Sequence, residues 1–143
     1  MARLTEVYLL NVPLEDDYKH TLYFTSKDNQ QSFFKSKKIY SFPDLSYQSK
    51  DSSIRIPLCN DDCIGCNYVM YRNSLYTNKW YYAFITDMEY ENDEVTKIKI
   101  ETDVIQTWLF DYKVKSSFVE REHVDNDKAG NHTVPENLEL GEY

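Results

Sequence analysis

Residues 79–112 read KWYYAFITDMEYENDEVTKIKIETDVIQTWLFDY, and the spacing of their apolar positions changes partway along. From Trp80 the side chains alternate, which assigns Trp80, Tyr82, Phe84, Met88 and Tyr90 to one face and Tyr81, Ala83, Ile85, Asp87 and Glu89 to the other. Alternation over this length marks a half-buried strand. Glu91-Asn92-Asp93-Glu94 contains no apolar residue and forms a turn, after which Val95 to Thr102 alternates again, with Ile98 and Ile100 opposed to Lys97, Lys99 and Glu101. The pair is predicted to be an antiparallel hairpin. At Asp103 the period becomes helical: Val104, Ile105, Trp108, Leu109 and Tyr112 recur on one face. Asp103 is the expected N-cap, with Gln106 three residues on. This amphipathic helix is expected to fold back onto the hairpin, giving a core of Trp80, Phe84, Ile98, Ile100, Trp108 and Leu109.

Working outward, a chain of 143 residues is long enough for one domain with a sizeable core. Aromatic residues make up 15% of it, with 13 tyrosines and seven phenylalanines against three glycines. That mixture suits large cross-strand pairs in a β-rich fold and disfavours folds built on Gly-rich phosphate loops. The net charge of −8 argues against tight nucleic-acid binding, which needs clustered Lys and Arg to displace counterions. An acidic wall does suit a surface past which nucleic acid slides without sticking. No segment approaches the roughly 20 apolar residues of a membrane-spanning helix, and the N-terminus lacks the basic-then-apolar order of a signal peptide. Asn131-His132-Thr133 fits the N-glycosylation pattern, which carries no weight without secretion.

In chain order, Arg3 to Asn11 reads as a strand closed by Val12-Pro13, and residues 14–19 as an acidic loop. His20 to Thr25 is expected to return as a second short strand. Ser26 then caps a helix that is anchored by Phe33-Phe34. Lys35, Lys37 and Lys38 read as its solvated end, where cations suit the helix dipole. Ile39 to Phe42 alternates into the turn Pro43-Asp44, and Leu45 to Ser49 and Ser53 to Pro57 flank a second turn. Asn67 to Asn73 is another strand, and a polar turn leads from it into the hairpin. Beyond the helix, Phe118 to Val124 reads as a strand of mixed charge. Thr133 to Tyr143 has neither period and resembles a domain exit.

Cys59, Cys63 and Cys66 form the most conspicuous chemical constellation. Their C-x3-C-x2-C spacing can hold three irons of a four-iron cluster, as in radical enzymes that use S-adenosylmethionine. That chemistry also needs an aromatic residue before the last cysteine, where this chain has Gly65, together with a long barrel of strands and helices and a Gly-rich cofactor strand. A zinc site would need Asp61, Asp62 or a distant histidine as fourth ligand. The remaining reading is a loop of free thiols in a reducing compartment, and an odd count rules out complete pairing within the chain. No cofactor and no metal are expected.

Of the three histidines, His20, His123 and His132, only His123 lies among carboxylates, in Glu120-Arg121-Glu122-His123. Such alternating charge usually marks a solvated or intersubunit strand face rather than an acid-base site. There is no nucleophile elbow, P-loop or HExxH, so no catalytic residue is assigned and no enzyme is expected.

Four segments together resemble one family. They are Asn11-Val12-Pro13 through Asp17-Tyr18-Lys19 to Phe24-Thr25-Ser26; Tyr68-Val69-Met70-Tyr71-Arg72-Asn73 followed by Asn78-Lys79-Trp80-Tyr81-Tyr82-Ala83-Phe84; Glu101-Thr102-Asp103-Val104-Ile105-Gln106-Thr107-Trp108; and Ser117-Phe118-Val119-Glu120-Arg121-Glu122-His123-Val124. In this order they resemble the tail-knob, or distal tail-tube, proteins of short-tailed podovirus-type bacteriophages of Gram-positive hosts.

The resemblance implies a structural virion protein that is mainly β, a compact antiparallel barrel or sandwich with two short helices. It implies a six-fold homo-oligomeric ring at the end of the tail, contact with other phage tail proteins, and passage of the genomic DNA through the lumen without tight binding. Assembly would take place in the cytoplasm of the bacterial host. Family members are several times longer, so residues 1–125 correspond to an N-terminal tube domain and residues 126–143 to an exit segment. Membrane contact is not carried over to this segment. The alternative is a stand-alone β-rich tail adaptor or host-surface-binding module, monomeric and carrying a ring-stacking aromatic site for carbohydrate.

Overall fold

The computed structural model describes residues 5–14, 22–45, 47–48, 52–74 and 77–117. They are mainly β. One continuous seven-stranded sheet is formed by β1 (Thr5–Leu10), β2 (Lys38–Phe42), β3 (Tyr47–Gln48), β4 (Ser53–Ile56), β5 (Tyr68–Asn73), β6 (Tyr81–Asn92) and β7 (Val95–Thr102). The order across the sheet is β2-β1-β5-β6-β7-β4-β3, and neighbouring strands pair antiparallel throughout. Three helices accompany it: α1 (Lys27–Ser36), α2 (Asn60–Cys63) and α3 (Val104–Thr107). The sequence reading expects two. The third, α2, is a single turn inside the cysteine loop.

The alternation of the strands divides the core into two layers. On one side of the sheet Val7, Leu9, Ile54, Ile56, Cys66, Val69, Ala83, Ile98 and Ile100 form one cluster, with Tyr40 and Phe42 of β2 packed against it. Strands from both ends of the sheet order thus share one core, so the sheet curls around this layer in a barrel-like manner. On the other side Leu10, Val12, Phe34, Tyr68, Met70, Trp80 and Tyr82 form the second cluster, which α1 covers through Phe34. Strand β5, third in the order, serves both, sending Val69 to the first layer and Tyr68 and Met70 to the second, and all three are fully buried or nearly so.

Helix α1 forms where the sequence places it. Ser26 is its N-cap, accepting from the Asn29 amide at 3.2 Å, and Phe34 stacks on Tyr68 with ring centroids 5.3 Å apart. The expected strand before it does not form over Leu22 to Thr25. Phe24 instead packs against Phe33 and Phe34, so the segment makes its apolar contact with α1 rather than across a strand pair. The rest of that expected strand, the acidic loop beyond Leu14, the strand over Phe118 to Val124 and the exit segment lie outside the described residues.

The hairpin forms with Asp93-Glu94 as its loop, and two irregularities in register modify it. At the first, Ile85 pairs with Ile100 while Asp87 pairs with Lys99, so Thr86 is an extra residue. Such a bulge reverses the alternation beyond it. Met88 therefore joins Ala83 and Ile85 on the first core layer, and Asp87 and Glu89 take the opposite face with Lys97 and Lys99. Phe84 is 36% exposed and is not a core residue, whereas Trp80, Ile98 and Ile100 are buried as expected.

Candidate functional site

Helix α3 faces the opposite way from the expectation. Its N-cap is Asp103, which accepts from the Gln106 amide at 3.2 Å, as the spacing indicates. Its buried residues, however, are Gln106 and Thr107, while Val104 and Ile105 are 62% and 64% exposed. The helix also ends at Thr107 rather than running to Tyr112, and Trp108 is 37% exposed. Polar partners explain the inversion. Thr107 Oγ1 accepts from the Tyr82 amide at 3.1 Å, and its hydroxyl donates to the Tyr82 carbonyl at 3.2 Å. Gln30 of α1 donates to the Gln106 carbonyl and side-chain oxygen at 2.8 and 2.9 Å, and Gln106 donates to the Leu22 carbonyl at 3.3 Å. The Tyr68 hydroxyl donates to Asp103 Oδ2 at 2.7 Å. Burial of Tyr68, reinforced by that carboxylate, pushes the phenol pKa well up.

Of the apolar stripe read from the sequence, Val104, Ile105, Trp108 and Tyr112 therefore lie on the surface, continued by Val114, and Leu109, expected in the core, is half-buried. Trp108 rests edge-on against Tyr81, and the Lys79 ammonium sits 5.0 Å from its ring centroid. Lys79 and Lys27 both pair with Asp111 and hold its carboxyl below the usual range. Next to this stripe a cleft of about 400 Å³ opens between α1 and the turn after α3, with Gln30, Tyr82 and Thr107 among its lining residues.

The other residues singled out in the sequence fall into place around the sheet. Lys35, Lys37 and Lys38 are exposed, and each ammonium lies over a ring: Trp80, Phe33 and Tyr8 in turn. Arg72 covers Trp80 as well and pairs with Glu6 at 2.7 Å. Cation–π contacts of this kind tie the basic cluster to the fold. Trp80 is only 5% exposed beneath them and offers no open platform for a sugar ring.

Cys63 and Cys66 are buried free thiols and Cys59 is a partly exposed one at the N-cap of α2. Burial, with a smaller contribution from Cys63, pushes the Cys66 thiol up to about 11, and burial raises Cys63 as well. Among the described residues no group of three or more His, Cys, Asp or Glu side chains is arranged to hold a metal ion. His20, His123, His132 and the Glu120-Arg121-Glu122-His123 run lie outside the described residues. No helix among the described residues is long and apolar enough to cross a membrane.

This fold belongs to a class already defined by sequence. The family described as the Caudoviral major tail protein N-terminus matches residues 3–113, and the chain belongs to that family. It is 39% identical over 141 residues to the tail knob protein gp9 of Bacillus phage PZA and 37% identical to that of Bacillus phage phi29. Each match covers 93% of this chain and 24% of the relative, so the chain spans about a quarter of the length of the curated relatives it matches. Among solved structures, the tail knob protein gp12 of bacteriophage C1 shares the fold, with a TM-score of 0.56 at 24% identity. That match covers 73% of this chain and 22% of the other.

Proposed function

We propose that this chain is the N-terminal domain of a tail-knob, or distal tail-tube, component of a short-tailed bacteriophage. Its role is structural rather than enzymatic, and its place is the virion tail. Residues 1–125 are the tube domain and residues 126–143 lead out of it. The observation that carries this reading is the family match over residues 3–113, together with its likeness to tail knob proteins along 93% of its length. In the assembled tail, copies of the chain form a six-fold ring in contact with other tail proteins, built in the host cytoplasm, and the genome passes through the lumen during ejection.

Two physical features support that role. The net charge of −8 disfavours retention of a passing polyanion. The fold also leaves large apolar side chains outside its core, as a protein that assembles with neighbours requires. The test is immunogold labelling of intact virions with antibodies raised against this chain. Labels confined to the tip of the tail are expected, and labels on the capsid shell would overturn the reading.

A further inference from the structure

Two apolar patches lie at opposite ends of β6. At the start of the strand, next to Tyr81, is the outward face of α3, where Val104, Ile105, Trp108 and Tyr112 are between 37% and 64% exposed. Lys79 lies over Trp108 and, with Lys27, pairs with Asp111, while Lys113 and Lys115 flank Val114 directly after Tyr112 in the chain; these four lysines stand against the carboxylates Glu101, Asp103 and Asp111 in a strongly acidic protein. At the far end, beside the hairpin loop, Tyr90 is 60% exposed and Ile64, which closes α2, is 66% exposed. Thr96, which pairs with Tyr90 beside the hairpin loop, donates its hydroxyl to the carbonyl of Leu58 just before α2, and this places α2 and Tyr90 at the same end of the hairpin. The surrounding charges there are Asp61, Asp62, Glu91, Asp93 and Glu94, and of these Glu91 is matched by Arg55. At about 3.3 Å per residue, the nine steps from Tyr81 to Tyr90 separate the two patches by roughly 30 Å.

An exposed apolar patch with a lysine-rich rim and another with an acidic rim complement each other, but they cannot meet within one molecule. We propose that the α3 face of one copy of this chain seats on the α2 and hairpin-loop patch of the next copy, so that the copies associate head to tail. Unlike patches in contact make a heterologous interface, which closes into a ring or extends as a filament according to the rotation between neighbours. The proposal rests on the homo-oligomeric reading above and adds the two surfaces that meet. Charge complementarity favours a second copy as the occupant. A rim of lysines around apolar groups matches the acid-rimmed patch that this same chain presents, and attraction between them weakens as salt screens it.

The experiment is light scattering on the full chain across a concentration series, with two variants that each spoil one patch. Val104→Asp with Ile105→Asp spoils the α3 face, and Ile64→Lys spoils the other, all at positions more than half exposed. Each variant alone is expected to lose at least tenfold in self-association. Mixed, they retain one intact patch each and are expected to form a one-to-one dimer that grows no further. A second pair guards against misfolding: Lys113→Glu with Lys115→Glu weakens association, and Asp61→Lys with Asp62→Lys in the neighbouring copy restores it. Variants that keep the wild-type mass overturn the proposal and leave the homo-oligomeric reading intact. A wild-type chain that stays monomeric at every concentration also overturns the proposal, and it places the contacts of the homo-oligomeric reading outside these two patches. An α3 variant whose melting temperature falls while its mass is unchanged shows that the face is covered within a single chain, which also overturns the proposal.

Discussion

Thr107 and Tyr82 hold each other by a reciprocal pair of hydrogen bonds, the Tyr82 amide donating to the Thr107 hydroxyl and that hydroxyl donating to the Tyr82 carbonyl. The Asp103 amide donates to the same carbonyl at 2.8 Å. Removing Thr107 therefore leaves the Tyr82 carbonyl with a partner and its buried amide with none. Thr107→Val is expected to cost about 1–3 kcal/mol, the penalty for an unsatisfied buried donor. Chemical denaturation checks this, and a change below about 0.5 kcal/mol would show that α3 is not held by this contact.

Trp108→Ala is expected to cost little, because the indole is already 37% exposed and meets the fold mainly at Tyr81 and Lys79. Phe34→Ala, by contrast, empties a fully buried site whose ring touches Tyr68 and Tyr82, and is expected to cost about 3–5 kcal/mol. Measured side by side, the two variants rank the layers of the molecule. Equal losses would place Trp108 in the core after all.

The two buried tyrosines Tyr68 and Tyr82 differ in one hydrogen bond. Tyr68 donates to the Asp103 carboxylate, so Tyr68→Phe is expected to lose about 1.5–3 kcal/mol. The Tyr82 hydroxyl is buried with no hydrogen-bond partner among the described residues. Tyr82→Phe is therefore expected to leave stability unchanged or to raise it. Thermal melts of both variants in one buffer decide the matter, and a large loss for Tyr82→Phe would reveal a partner for its hydroxyl.

Alkaline pH is expected to weaken the fold through the thiols. Cys66 titrates at about 11 in the folded chain against an ordinary value of 9.0, because burial opposes the thiolate. Above pH 9 the unfolded chain gives up this proton first, so the folded state holds more protons and stability falls as pH rises. The stabilisation is complete below pH 9 and is lost by about pH 11. In Cys66→Ala that component disappears, and the stability gap between wild type and variant is expected to narrow across this window. A constant gap would show that Cys66 is not shielded from water.

How much of this was legible in the sequence depends on how strongly a pattern constrains its own direction. Lys97, Ile98, Lys99 and Ile100 alternate, and the strand can bury only its isoleucines, so β7 and its partner were readable. Ser26 and Asp103 were readable as caps because a side-chain acceptor at that position satisfies a local amide. The bulge at Thr86 left no such mark, yet it moved Met88 across the sheet. The facing of α3 was illegible for a deeper reason. Periodicity separates Val104, Ile105 and Trp108 from Gln106 and Thr107, but it does not say which set turns inward. The open backbone groups of Tyr82 and the amide of Gln30 decided that, and both belong to distant parts of the chain. An exposed apolar stripe looks the same in sequence as a buried one.

The sheet order also sets a timetable for folding. β6 and β7 are neighbours in the chain and can pair as soon as both emerge from the ribosome, before any other strand is required. β1 precedes β2 and β5 in the chain but lies between them in the sheet, so Tyr8 must wait for Met70 to be synthesised before its second edge is covered. This strand therefore keeps one edge bare until β5 has been made, which happens about halfway along the 143 residues. That interval is when neighbouring nascent chains are best placed to pair wrongly.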